Sequence, residues 1–335
     1  MTPQSSRVSW ADALGFLPVR MLRAALRDLP PQTALRLGAA CGRWVAGMGG
    51  SGVEVARINL ALAFPELSER ERGRLLFESY ANVGRVVAEL ALLQGRHREK
   101  LLEGVRIEGQ EYLAAAEAAS PTGGVMVVTA HFGSWDLCAA ALTAQGHALT
   151  VVQRGFRNPE LQAMFSRLRR GEAGDLLELK MGPRAVTGVL RSLREGRKLV
   201  VLADQNAKTE EGVFVPFFGH LACTRFAPAV VAMRRGIPVL PAFVYREGES
   251  PRHVVRLAPH LELEPPGSDP EKALTANVAN ITHSIEEAVR RAPDHWLWLH
   301  RRWRTRPDAG EGLDTLANPY PSRRGRLRRI RRILR

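Results

Sequence analysis

A chain of 335 residues with 45% apolar and 24% charged side chains has an ordinary globular composition, which excludes wholesale disorder and allows one large α/β domain or two small ones. Forty-eight Lys and Arg against 34 Asp and Glu leave a formal charge of +14, so the expected partners are polyanions: nucleic acid, anionic lipid or an acidic protein. Cys41, Cys138 and Cys223 form no C-x-x-C pair, which argues against a disulfide framework or a structural zinc site and suits a reducing, cytoplasm-facing compartment.

The first hundred residues read as helical. Leu14 to Leu29 is apolar but interrupted by Pro18, Arg20, Arg23, Arg27 and Asp28, so it reads neither as a secretory signal nor as a spanning helix. Val19, Leu22, Leu26 and Leu29 recur at helical spacing with Arg20, Arg23 and Arg27 on another face, which fits an interfacial amphipathic helix or a surface helix packed on its own core. A second helical stretch, Leu35 to Met48, ends in the glycine cluster Gly47 to Gly52; a third, Ser68 to Leu93, opens with Ser68 and Glu71 in capping-box spacing. That glycine cluster satisfies G-x-G-x-x-G, yet a helical pattern precedes it where a dinucleotide fingerprint needs a strand.

From Val125 the periodicity changes. Val125 to Ala130, Leu149 to Val152, Lys198 to Ala203, Ile237 to Val244 and His253 to Leu257 are short apolar runs that predict strands. Helical patterns at Asn158 to Arg170, Arg184 to Glu195 and Phe226 to Arg235 separate them, which predicts an α/β fold with a central, mostly parallel sheet flanked by helices. A last helix, Glu271 to Arg291, precedes an aromatic and basic stretch at His295 to Arg306. The final fourteen residues, Ser322 to Arg335, hold eight Arg and no acid, with Leu327, Ile330 and Leu334 at helical spacing. This tail suits anionic headgroups, a solvated charge run or nucleic acid.

One constellation carries chemistry. His131-Phe132-Gly133-Ser134-Trp135-Asp136 follows directly on the strand Val125 to Ala130, at the carboxyl end where α/β sheets place their ligands. With His131 in the loop and Asp136 in the first turn of the next helix, the carboxylate would accept from one imidazole nitrogen and leave the other as a general base for a hydroxyl. Amides at the helix start would help to stabilise an oxyanion, and Gly133 permits close backbone approach. The spacing alone arises by chance about once in a chain with nine His, so position and not spacing carries the signal.

On these residues the sequence resembles the bacterial lipid A late acyltransferases, within the lysophospholipid acyltransferase superfamily that shares a His-x-x-x-x-Asp/Glu motif. Four further blocks look like family blocks: Asn59 to Glu66, Ala203-Asp204-Gln205-Asn206, Gly212 to Gly219, and Trp298 to Pro307. The resemblance spans roughly Leu14 to Pro307. It implies a glycerol-3-phosphate acyltransferase-like core over residues 101–310, a membrane-associating helical region over 1–100, and a linker with basic tail over 311–335.

It further implies His131 as base, Asp136 as its partner, an acyl-carrier-protein thioester as donor, a glycolipid acceptor such as a lipid A precursor, and no metal or cofactor. Substrate contacts are expected from Gly133, Arg154, Asp204, Gln205, Phe217, Phe218, Arg301, Arg302 and Arg304, with Trp296, Trp298 and Trp303 suited to a membrane interface. Each has a plainer alternative: a surface charge for Arg154, a structural cap for Asp204, core packing for the Phe-rich block. Attachment to the cytoplasmic face of the inner membrane is expected to be peripheral or monotopic.

The second motif position is Asp where many lipid A enzymes carry Glu, and Asp also occurs in phosphatidylinositol mannoside acyltransferases, so another glycolipid acceptor stays open. The rival from a different class is a basic nucleic-acid-binding protein, motivated by charge and by the Arg-rich tail but lacking any recognition motif.

Overall fold

The computed structural model describes residues 24–153, 175–307 and 316–321. Arg154, the expected helix Asn158 to Arg170 and the basic tail from Ser322 lie outside these residues, as does most of the Leu14 to Leu29 stretch, of which residues 24–27 are helical.

After the helical residues 24–27 come three helices, α1 (Pro31–Met48), α2 (Ser51–Ala63) and α3 (Glu69–Leu92). The capping box at the start of α3 forms as expected, with the Ser68 amide donating to the Glu71 carboxylate at 2.8 Å and the Glu71 amide donating to Ser68 Oγ at 3.3 Å. Gly49 and Gly50, both at positive φ, turn α1 into α2, so the glycine cluster joins two helices and opens no phosphate loop.

Besides short 3-10 turns at Thr209–Glu211 and Pro293–His295, six further α-helices and nine strands follow among the described residues. In chain order they are α4 (Arg98–Glu103), β1 (Val105–Glu108), α5 (Gln110–Ala119), β2 (Val125–Thr129), α6 (Trp135–Ala144), β3 (Leu149–Gln153), β4 (Leu176–Lys180) and α7 (Pro183–Arg194). There follow β5 (Lys198–Leu202), β6 (Gly212–Phe217), β7 (His220–Arg225), α8 (Ala227–Arg235), β8 (Val239–Arg246), β9 (His253–Leu257) and α9 (Pro270–Arg291). Seven strands form one sheet in the order β1-β9-β8-β2-β5-β3-β4. Every neighbouring pair is parallel except β8 and β9, so the architecture is the expected α/β fold with a mostly parallel sheet and a helical N-terminal region.

The five strands read from sequence all form. Three features escaped that reading: β1 and β4 at the two edges, and the separate antiparallel hairpin β6–β7. Edge strands such as Val-Arg-Ile-Glu and Leu-Leu-Glu-Leu-Lys carry charges on an open face and lack the continuous apolar run of a strand covered on both sides. The hairpin closes on Phe218 and Gly219, both at positive φ, and the Phe218 amide donates to the Glu286 carboxylate of α9 at 2.6 Å.

A buried ionic cluster ties α3 to the far side of the sheet. Arg246 at the end of β8 donates from both terminal nitrogens to Glu89 of α3, at 3.0 Å for the Nη2 to Oε2 bond, and His253 of β9 lies 3.3 Å from the same carboxylate. Burial opposes the charge on Glu89, but the Arg246 guanidinium together with His253 and Ser134 outweighs it, and the carboxyl is held below its usual range. His253 is pushed down to about 4 by burial, with the neighbouring Arg246 charge adding to the effect against the pull of Glu89, so it is neutral there.

Candidate active site

The register of two adjacent parallel strands builds the site. Thr129 of β2 faces Leu202 of β5, and the Ala203 amide continues the ladder by donating to the Thr129 carbonyl at 3.0 Å. Two residues past each of these partners stand His131 and Asp204. Neighbouring strand ends therefore deliver an imidazole and a carboxylate to the same point, at the carboxyl end of the sheet.

There His131 Nδ1 donates to Asp204 Oδ1 at 2.9 Å, while Asp204 Oδ2 accepts from the His131 amide at 3.1 Å and from Trp296 Nε1 at 2.8 Å. Burial would raise the Asp204 carboxyl, but the His131 charge and these three bonds pull it down to about 2. An ionised carboxylate can only accept, so Nδ1 carries the proton and Nε2 presents its lone pair. Burial disfavours the imidazolium, yet the Asp204 charge and hydrogen bond outweigh it, and the His131 pKa rises above its ordinary value. Gln205 Nε2 lies 3.3 Å from Nε2 and caps that lone pair, so an incoming hydroxyl has to move the Gln205 amide aside.

The partner expected for Nδ1 was Asp136. It occupies the second position of α6, buried and lining the cleft, and its charge adds a smaller upward push on His131. The hydrogen-bonding place is taken by Asp204, 73 residues away in sequence. Gly133 sits at φ 58°, where a Cβ would meet the Val244 carbonyl at 2.4 Å, and its amide already donates to the His295 carbonyl at 2.9 Å. Its close approach is thus to a strand and not to a ligand, which corrects the substrate-contact reading.

The 295–306 block turns inward. Leu297 donates to the His131 carbonyl at 3.0 Å, Phe132 bridges to Trp296, and Trp296, Trp298 and Trp303 are at most 1% exposed. These tryptophans pack the core under the site and do not face a membrane. Arg302 is likewise enclosed, bonding the Cys223 carbonyl at 2.9 Å and the Thr224 hydroxyl while stacking 5.1 Å from the Phe217 ring. Burial lowers its guanidinium to about 10, and it holds β7 and not a headgroup. Phe217 and Phe218 belong to the same core, with ring centroids 4.9 Å apart, and do not line the cleft. Composition cannot separate these outcomes, because an aromatic and basic run is equally suited to an interface and to a core whose donors find carbonyls.

Among the described residues, a cleft of about 1230 Å³ opens over His131. Its polar lining includes Asp136, Gln205, Asn206, His300, Arg301 and Arg304, and its apolar lining includes Val151, Val152, Met181, Val186 and Val189. Arg301 and Arg304 thus remain in the lining of the cleft, where they can meet a substrate anion. Asn206 and His300 were missed as site residues, though each lies in a block singled out from sequence. The Asn206 amide donates to His300 Nε2 at 2.8 Å, and burial holds His300 down to about 4, so it stays neutral and accepts. Asn206 and Thr305 exchange two further bonds, at 2.9 and 3.0 Å, fixing the basic segment to the end of β5.

The family described as bacterial lipid A biosynthesis acyltransferase matches residues 6–305 of the chain. The lipid A biosynthesis lauroyltransferase of Escherichia coli K12 is 25% identical over 284 residues, covering 84% of this chain and 88% of the relative. A lipid A biosynthesis acyltransferase of Haemophilus influenzae is 26% identical over 303 residues, with 90% and 86% covered. The lipid A biosynthesis myristoyltransferase of Escherichia coli K12 is 26% identical over 289 residues, with 84% of each chain covered.

Proposed function

The chain belongs to the bacterial lipid A biosynthesis acyltransferase family, and from that premise we propose that it moves a fatty acyl chain from an acyl-carrier-protein thioester to a hydroxyl of a lipid A precursor, with His131 as general base. The observation that carries the mechanism is the His131–Asp204 pair, 2.9 Å apart at a cleft with an apolar lining.

The chemistry follows from that pair. The acceptor hydroxyl displaces Gln205 and gives its proton to His131 Nε2, while its oxygen attacks the thioester carbonyl. The Asp204 carboxylate, facing the Nδ1 proton, stabilises the imidazolium that forms. When the tetrahedral intermediate collapses, the carbon–sulfur bond breaks and the leaving thiolate takes the proton back from Nε2. One ester forms, one thioester is cleaved and no net proton is released. Asp136 supplies a second negative charge near the imidazolium, and amides at the start of α6 favour the oxyanion.

The apolar lining of the cleft, Val152, Met181, Val186 and Val189 among it, suits the acyl chain, whose burial is worth about 0.8 kcal/mol per methylene. Arg301 and Arg304 in the same lining suit the phosphates of the acceptor. An enzyme of lipid A biosynthesis is membrane-associated, and among the described residues no helix is long and apolar enough to cross a membrane. We place the enzyme on the cytoplasmic face of the inner membrane, held peripherally, where a soluble acyl-carrier-protein donor reaches it.

The test is acyl transfer by purified protein from acyl-carrier-protein thioester to a detergent-dispersed lipid A precursor, followed by mass spectrometry. The wild type is expected to add one acyl chain, and His131→Ala to lose about a thousandfold in turnover. Wild-type turnover by His131→Ala would remove His131 as the base. Transfer to other glycolipids but not to the lipid A precursor would remove the acceptor assignment.

A further inference from the structure

Helix α1 is built inside out for a helix in water. A water-facing helix turns its large apolar side chains toward its neighbour and polar ones outward. Here the stripe toward α3 is made of small residues, Ala34, Gly38, Gly42 and Ala46, all buried. The backbones approach so closely that a Cβ on Gly38 would lie 2.3 Å from the Gly84 carbonyl oxygen, and one on Gly42 would lie 2.0 Å from that of Tyr80. Seams of this kind belong to helices that associate by backbone packing in an apolar surrounding.

Apart from Leu35, which is buried beside this stripe, the large apolar residues of the helix point outward. Leu37, Cys41, Trp44 and Met48 fall within about 60° of the helix circumference at 100° per residue. All four are exposed, Trp44 at 66%, and Val45 and Phe77 extend the patch. Contiguous exposed apolar surface of this sort marks an interaction site.

From these observations we propose that the outward face of α1 is the surface by which the protein lies in an anionic lipid bilayer, parallel to the membrane plane. Charge identifies the occupant. No acidic residue occurs between Asp28 and Glu54, and the two charges of α1 are Arg36 and Arg43, with Arg36 exposed and Arg43 paired to Glu78. An apolar face that carries no acid and is flanked by the exposed Arg36 suits anionic headgroups over acyl chains, whereas a formal charge of +14 opposes pairing with a second copy.

The same face is joined to the cleft. Only Gly49 and Gly50 separate α1 from α2, and a Cβ on Gly52 would lie 3.1 Å from Leu299 of the cleft lining. Further along α2, the Asn59 side chain donates to the carbonyls of Trp298 and His300 at 2.7 Å each. Docking through α1 would therefore set the cleft mouth at a fixed position relative to the lipid surface, whichever hydroxyl is acylated.

Cys41 sits in the middle of this face, while Cys138 and Cys223 are buried, so a polarity-sensitive dye can be placed on Cys41 of the full chain. On vesicles of phosphatidylethanolamine and phosphatidylglycerol, the dye emission is expected to shift to the blue and to be quenched by brominated acyl chains. The combined variant Leu37→Gln, Trp44→Gln and Met48→Gln, with its melting temperature checked, is expected to bind these vesicles at least about tenfold more weakly. Its turnover on detergent-dispersed acceptor should match the wild type, which separates this surface from the catalytic reading. Unchanged vesicle binding by the variant, or a Cys41 dye that lipid does not quench, would overturn the proposal. So would a blue shift that grows with protein concentration in the absence of vesicles, since it would assign the face to a second copy.

Discussion

His131 and His253 each lie within 3.3 Å of a buried carboxylate, yet their affinities for a proton are shifted in opposite directions. Apart from the imidazole itself, Asp204 takes its hydrogen bonds from neutral donors, the Trp296 indole and a backbone amide, and the Arg302 guanidinium that shares its field bonds elsewhere, so the imidazole feels its charge. Glu89 still pulls on His253, but Arg246, bonded to both of its oxygens, opposes that pull, and burial outweighs it. Exposure follows the same division: the His131 side chain is 23% exposed at the cleft, and that of His253 is sealed at 0%. Proximity to a carboxylate thus does not make a base; a carboxylate with no guanidinium bonded across its oxygens, and a ring edge open to substrate, do.

The comparison is broken most forcefully at Asp204. Asp204→Asn keeps the shape but replaces the charge, and turnover is expected to fall by about a thousandfold, equivalent to about 4 kcal/mol of transition-state stabilisation. His131 must be unprotonated to accept a proton, and Asp204 raises its pKa, so the acid limb of the pH profile lies above the ordinary imidazole range. Removing the charge moves that limb to lower pH. Asp136→Asn should move it in the same direction by less and cost less turnover, because its charge is the smaller influence on His131. A larger loss from Asp136→Asn than from Asp204→Asn would show that the pair at 2.9 Å does not orient the base.

At the sealed cluster the expected effect is on stability. Glu89→Gln leaves the Arg246 guanidinium buried without its counter-charge, which is expected to cost about 3 kcal/mol and to lower the melting temperature. The acid limb of turnover for the folded variant should stay in place, since this cluster lies outside the cleft. A shifted limb would mean that the two clusters are electrically coupled and that the contrast drawn between them fails.

What the sequence discloses about this contrast depends on range. The strand at Val125 to Thr129 and the acid at Asp204 are visible locally, one as a β-branched run and the other as a charge closing an apolar run. Their partnership is not, because it requires β5 to lie beside β2 while β3 and β4 continue outward, an order that no local pattern encodes. Spacing five residues apart therefore favours Asp136, and only the register Thr129 to Leu202 brings Asp204 to the imidazole. Trp296 was legible as an aromatic in a basic block but not as a donor, since its indole finds Asp204 only once the block folds under the sheet.

That indole provides the finest test of the comparison. Trp296→Phe removes one of the three hydrogen bonds to Asp204 and leaves a small void, costing some stability in a core that is closely packed. A merely structural Trp would change the melting temperature and nothing else. As a positioning residue it does more: without the indole dipole the carboxylate draws the imidazolium proton harder, so the acid limb of turnover should move to higher pH, opposite to Asp204→Asn. The carboxylate also loses part of its fixed orientation, and a decrease in kcat of about tenfold is expected, the worth of one hydrogen bond to a charged group. KM should change little, because Trp296 is buried beneath the cleft and does not line it. An unmoved limb with a normal kcat would reduce Trp296 to packing and leave His131 and Asp204 to hold each other unaided.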